Sequence, residues 1–216
     1  MSRPDFRVRD KACLFARFTL AEVGEIVGLP PGVMDYWIHR GFVPWSGTPS
    51  LISAVDLVCL ATLKSLALLG WPPDRSYLVA HECNAVVFYY AILGCSGALE
   101  VVGSPNRVAG LKSEFEKDDK IAAELTGGPH RFRYLYRRDD WDYFAKVSDI
   151  SSVVGESGSP TSSFLDLQDL ATDLCSRIKR PLIHVELVPN CFDVRDRETW
   201  LSSPSAVVHR RGYEFS

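Results

Sequence analysis

Near the start of the chain, apolar residues recur at helical spacing and then break at a glycine. Leu20, Val23, Ile26 and Val27 share one face and Glu22 and Glu25 the other, which predicts a short amphipathic helix. Thr19, three residues before Glu22, makes the capping-box pattern in which the hydroxyl and the carboxylate satisfy N–H groups of the first turn. Gly28 supplies the left-handed stop, and Leu29 tucks beneath the turn. Pro30 and Pro31 then sit where a first helical turn tolerates a missing donor. A second helix follows, with Val33, Tyr36 and Trp37 expected inward and Gly41 ending it just after Arg40. Two short helices around a glycine turn predict a helix-turn-helix, whose second helix has the shape to enter a major groove.

Further on the period changes. A third helix starts at Ile52-Ser53-Ala54-Val55-Asp56-Leu57 and runs to Gly70-Trp71, and Pro72-Pro73-Asp74 opens a fourth that reaches about Glu82. Val86 to Leu93 is a continuous β-branched and aromatic run closed by Gly94-Cys95-Ser96-Gly97, and Ala98 to Val102 follows; the pair predicts a β-hairpin. Gly103 to Arg107 reads as a turn, and residues 112–125 as a surface helix ended by Gly127-Gly128. From His130 to Arg138, Phe132, Tyr134 and Tyr136 alternate with Arg131, Arg133 and Arg137, a strand that turns at Asp139-Asp140 and returns through Trp141 to Val147. A small polar loop at 155–163 precedes a helix from Phe164 to Ile178, capped by Ser163 and striped by Phe164, Leu167, Leu170, Leu174 and Ile178. Leu182 to Val188 alternates as a final strand. The fold class expected is α+β: an all-α head with a wing, then a mixed domain with an antiparallel sheet of four or five strands. The division is an arm over 1–17, the head over 18–82, the α+β domain over 83–190 and a polar tail over 191–216, which Trp200 and Tyr213 dock.

The segment from Thr19 to Pro44 resembles the DNA-binding head of the MerR family of transcription regulators, whose pattern runs roughly T-I-G-E-L-A-x-x-T-G-V-S-x-x-T-L-R-Y-Y-E-x-x-G-L-L-P. The alignment is gapless: Thr19, Glu22, Gly28, Leu29, Tyr36, Gly41 and Pro44 coincide, Trp37 stands for the second tyrosine and Phe42-Val43 for the paired leucines. The likeness extends to residue 82 through the Ile52 to Leu57 helix start and the Leu66-x-x-Leu69-Gly70-Trp71 helix end. Related heads occur in phage excisionases and packaging proteins. The resemblance implies duplex DNA as partner, with contacts from Arg17, Thr19, Pro31, Gly32, Asp35, Tyr36, His39, Arg40 and Lys64, and from Trp45, Ser46 and Thr48 of the wing. It departs from the family at Gly32 and Asp35, where arginines are usual, and in a wing, Trp45 to Ser50, without arginine or tyrosine. The long helix through which family members dimerise is expected to be missing, so a homodimer would use the C-terminal domain, which could also meet an effector, RNA polymerase or another regulator.

Charge shifts the emphasis within that picture. Residues 1–17 carry Arg3, Arg7, Arg9, Lys11 and Arg17 against Asp5 and Asp10, a basic arm able to follow phosphates. Residues 1–82 hold eight basic and eight acidic side chains, so the head as a whole is neutral, and Asp35 repels phosphate. A head turned to protein interaction, or a phage-type or mobile-element-type architectural or packaging factor, is the alternative reading. The Arg131, Arg133, Arg137 row is a second basic face, read first as a solvated strand face and second as a site for phosphates or a partner carboxylate. The aromatic row behind it is read as core, with a ligand pocket as the other possibility.

At 216 residues the chain has room for two cores. No apolar run reaches the length of a membrane span and no signal core follows the N-terminus, so the expected location is cytoplasmic, at the nucleoid. The six cysteines Cys13, Cys59, Cys83, Cys95, Cys175 and Cys191 lack C-x-x-C spacing. His81-Glu82-Cys83 is the one tight cluster of potential ligands and reads as a helix end with a buried thiol; no metal or other cofactor is expected. His184, on an apolar strand, reads as a satisfied core histidine ahead of a general base. No nucleophile elbow, phosphate loop or H-E-x-x-H occurs, and no enzymatic activity is expected.

Overall fold

A computed structural model describes residues 12–42, 51–103, 105–117, 122–123, 126, 132–138, 143–151 and 162–187. The fold is α+β, with strands β1 (Ala12–Phe15), β2 (Arg17–Thr19), β3 (Leu51–Ser53), β4 (Leu99–Gly103), β5 (Tyr134–Arg138), β6 (Ala145–Val147), β7 (Ser162–Asp166) and β8 (Ile183–Leu187). Its described helices are α1 (Leu20–Val27), α2 (Pro31–His39), α3 (Ala54–Leu68), α4 (Pro73–Gly94), α5 (Pro105–Lys117) and α6 (Leu167–Arg177).

The largest correction concerns α4. Residues 86–93, expected as a strand, continue the helix that was expected to stop near Glu82, so α4 spans 22 residues. Its buried positions Ser76, Ala80, Cys83, Val87 and Ala91 keep helical spacing, and Asn84 and Phe88 fill the adjoining stripe. Val86 and Tyr89 are buried too, because α4 packs on α3 along one side and on α6 along another. A helix covered on several sides is apolar in unbroken runs, the same pattern a central strand produces. The long helix after the head is therefore present, but engaged within the chain's own core.

The sheets also differ from expectation. β4 does not pair with residues 86–93; it pairs parallel with β8, which pairs antiparallel with β1 on its other side. Residues 12–15, assigned to the arm, are thus a strand of a mixed sheet, joined to a segment 170 residues later. Ala16 links the parts: its N–H donates to the Leu182 carbonyl at 2.9 Å, and its carbonyl accepts from the Ala54 N–H at 2.7 Å. Next to it β2 and β3 form an antiparallel pair, so the head is not all-α. The third sheet, β6-β5-β7, is antiparallel and includes the expected β5–β6 pairing.

Two boundaries move for identifiable reasons. Gly103 to Arg107 is not a turn throughout, since Pro105 opens α5 seven residues before the expected helix at 112. Residues 162–166 pair with β5 as β7, so Ser163 is a strand residue and Phe164 is 54% exposed; Asp166 is the cap of α6, accepting from the N–H groups of Gln168 and Asp169. One core runs from Phe18, Val23 and Trp37 through α3 and α4 to Val185 and Leu187, and the expected boundary at residues 82 and 83 falls inside α4. The turn at Asp139-Asp140, most of the 155–163 loop and the tail with Trp200 and Tyr213 lie outside the described residues.

Asp166 also receives both ends of the Arg133 guanidinium, with Nε 2.9 Å from each carboxylate oxygen, tying β5 to α6. Replacing Asp166 with Ala removes the cap and strands a half-buried arginine, which should cost about 2–3 kcal/mol, while Asn, which keeps the cap, should cost roughly half as much. Urea unfolding of the two variants measures this; equal midpoints for Ala and wild type would refute the assignment.

Candidate nucleic-acid interface

Two short helices form on either side of Gly28, and the Thr19, Glu22 and Gly28 caps are the ones expected. The Thr19 N–H donates to Glu22 Oε2 at 2.7 Å, and the Glu22 N–H donates to Thr19 Oγ1 at 3.3 Å. Thr19 is therefore occupied at the start of α1. Gly28 closes the helix at φ 68°, and the Leu29 N–H reaches the Gly24 carbonyl at 3.0 Å. Pro31 opens α2 as its first residue, and the helix ends at His39 with Arg40 as its cap.

Inside and outside of α2 are corrected by the packing. Met34 and Trp37 face the core; Val33, at 37% exposure, and Tyr36, at 56%, do not. Residues 34 and 37 are one turn apart and define the buried stripe, which leaves Gly32 and His39 nearest the centre of the opposite face and Tyr36 beside them. Gly32, Val33, Asp35, Tyr36, His39 and Arg40 are all exposed, as are Pro30 and Pro31. The His39 Nδ1–H donates to the Asp35 carbonyl at 2.8 Å, which leaves its Nε2 pointing away from that bond. Nothing lies within 4 Å of where a Gly32 side chain would begin, so the fold itself does not demand glycine there.

Lys64, expected on the interface, is turned the other way. Its Nζ donates to the Val27 carbonyl at 2.6 Å, and Arg177 Nη1 donates to the Ile26 carbonyl at 3.4 Å. The last turn of α1 carries no basic residue of its own, so α3 and α6 supply the cations that its C-terminal carbonyls favour. Arg180 completes the hold: its guanidinium lies 4.3 Å from the Phe18 ring centre, and its Nη2 is 3.1 Å from Glu22 Oε1. Sequence reading missed Arg177 and Arg180, because nothing local marks a contact between residues 150 apart.

Leu51, at the start of β3, pairs with Thr19 just before α1. Trp45, Ser46 and Thr48, and Arg3, Arg7, Arg9 and Lys11, lie outside the described residues. Arg17 is exposed on β2. No protein-family model, curated protein or solved structure matches this chain.

Other candidates are placed elsewhere. Arg133 is tied to Asp166, Arg137 stacks 3.8 Å from the Trp71 ring centre, and Arg131 lies outside the described residues, so the basic row is not one open face. Behind it Tyr136 is buried and Tyr134 half-buried. His81, Glu82 and Cys83 lie mid-helix and diverge: His81 packs on Tyr77, Glu82 pairs with Lys146 at 2.6 Å, and burial pushes the Cys83 thiol up to about 12. Among the described residues no group of three metal-ligating side chains converges. His184 is buried and its Nδ1–H donates to Glu100 Oε2 at 2.7 Å on the neighbouring strand.

Gly28 is the position where the turn and the clasp meet. A side chain there would hold φ 68° and come within 3.0 Å of Lys64 Nζ, so Gly28→Ala should destabilise by about 1–2 kcal/mol. Thermal unfolding checks this, and an unchanged midpoint would contradict it.

Proposed function

We propose that this chain is a sequence-specific DNA-binding transcription regulator that places α2 in the major groove. The observation that carries the reading is the division of α2: Met34 and Trp37 anchor it, and the whole opposite face from Pro31 to Arg40 is exposed. Helices of that length, held at one side and bare at the other, fit the groove with their N-terminal residues near base edges. Val33 and the Tyr36 ring offer apolar contact to thymine methyl groups, and Asp35 can accept from a cytosine amino group. In this reading the exposed Arg40 and Arg17 contact backbone phosphates, and the basic residues at 3–11 add to them.

The resemblance of residues 18–82 to MerR-type heads favours the same partner. The neutral charge of that region lowers affinity for DNA of arbitrary sequence, which leaves discrimination to α2. No described helix is long and apolar enough to cross a membrane. Because α4 is engaged with α3 and α6, a dimer would use another surface, and contact with polymerase or an effector would fall to the sheets. The second reading, a head turned to protein interaction, draws on the exposed Val33 and Tyr36 beside Asp35.

A salt titration of binding to mixed-sequence duplex separates the two. DNA binding gives affinity that falls linearly with log salt, and absence of binding at low salt sinks the proposal. Arg40→Ala should weaken binding on all sequences alike. Removing residues 1–11, and no further because β1 begins at Ala12, should flatten the slope by roughly one unit per lost phosphate contact.

Gly32→Ala is the sharper experiment. Helix propensity should raise stability by about 0.5 kcal/mol, while the added methyl at the groove should lower affinity for a selected site by about tenfold. An unchanged affinity with raised stability would remove Gly32 from the interface.

A further inference from the structure

Two cysteines 80 residues apart in sequence lie at the C-terminal ends of two packed helices. Cys95 caps α4, and its Sγ lies 4.0 Å from the carbonyl oxygen of Ala171 in α6. Cys175 sits one turn beyond Ala171 on the same face of α6, and helical side chains lean back toward the preceding turn. That lean carries the Cys175 sulfur toward the place where Cys95 lies. Both side chains are half-buried, so a small reagent has a way in. Cys59 and Cys83 differ: both are fully buried, and burial pushes each thiol up to about 12.

We propose that Cys95 and Cys175 form a reversible dithiol–disulfide pair that takes a small-molecule disulfide as its oxidant. The Cys95 thiolate attacks one sulfur of RS–SR, making a mixed disulfide and releasing one RSH. The Cys175 sulfur then attacks Cys95, displacing the second RSH and closing the Cys95–Cys175 bond. Two protein thiols are oxidised, one small disulfide is reduced, and both thiol protons leave on the two RSH molecules. Burial, with the neighbouring Cys95 sulfur adding to it, holds the Cys175 thiol above the ordinary range. Reduced pairs stabilised as thiolates oxidise others; a pair that resists ionisation lacks that stabilisation, so its disulfide, once made, persists. Closure is slow for the same reason.

The link has a direct route to the head. Cys175 lies two residues before Arg177 and five before Arg180, the two arginines that hold α1 by its last carbonyls and by Glu22. A bond at Cys175 fixes the final turn of α6 to α4 and thereby fixes the base from which both arginines reach. This inference does not depend on what the exposed face of α2 binds.

The test uses the full chain incubated with glutathione disulfide, then alkylated without reduction and mapped as peptides. The expected result is a cross-linked peptide pair containing Cys95 and Cys175, reversed by dithiothreitol, with Cys59 and Cys83 left reduced. Closing so long a loop should also raise the melting temperature by several degrees, an increase absent in Cys175→Ser. Full alkylation of both thiols after long oxidation overturns the proposal, as does a cross-link that instead joins either one to Cys13 or Cys191. Should Cys175→Ser fail to fold, the wild-type peptide map alone decides.

Discussion

The arrangement depends on α4 having neighbours along most of its length. A 22-residue helix reaches about 33 Å, the width of a small domain, so whatever covers it determines where the remaining elements lie. Against it stand α3 and α6, and at its far end Phe88 meets Phe15 of β1 edge-on, with ring centres 5.5 Å apart. The β1-β8-β4 sheet is thus placed by the same helix that supports the head. Burying Val86, Val87, Phe88 and Ala91 together stabilises by several kcal/mol, at roughly 25 cal/mol per Å² of apolar surface. That gain is unavailable to a head or a C-terminal part folded alone, because each would expose one side of α4.

Local chemistry made the head legible. Thr19 with Glu22, Gly28, Ser53 with Asp56 and the prolines that open α2 and α4 each act within four residues, and the structure uses each as its spacing implies. Facing was less legible. Val33, Met34, Tyr36 and Trp37 are all apolar or aromatic, so composition could not say which pair packs; tertiary contact with the core selects Met34 and Trp37. The run from Val86 to Leu93 failed for a deeper reason. Continuous apolarity records burial on several sides and carries no period, and only length separates the helix from the strand. Pairings were illegible for a different cause: β1 with β8 and β4 with β8 join segments whose relation exists only in the fold.

The candidate interface repeats that division. Its position in the chain could be read from the turn, but the roles of its cations could not. Lys64 was expected at the duplex and is instead bound to the Val27 carbonyl, because a helix end without a basic residue of its own draws one from its surroundings. Thr19 likewise serves the cap. What is left for a partner is the exposed side of α2, with Gly32, Val33, Asp35, Tyr36, His39 and Arg40, and exposed Arg17 on β2.

The clasp on α1 explains how so short a head keeps its shape. Helices of eight and nine residues are unstable alone, since nucleation is costly and few backbone bonds repay it. Here one end of α1 is closed by its own threonine and the other by Lys64 and Arg177, while Arg180 grips Glu22 on its flank and Phe18 beneath. Arg177 is the last residue of α6, and Arg180 lies in the segment that joins α6 to β8. The angle at which α2 is presented therefore depends on residues more than 130 positions away, and any event that shifts the end of α6 is felt at the turn around Gly28. Coupling of that kind requires no pathway through the core, only that one rigid element carries both the event and the contacts.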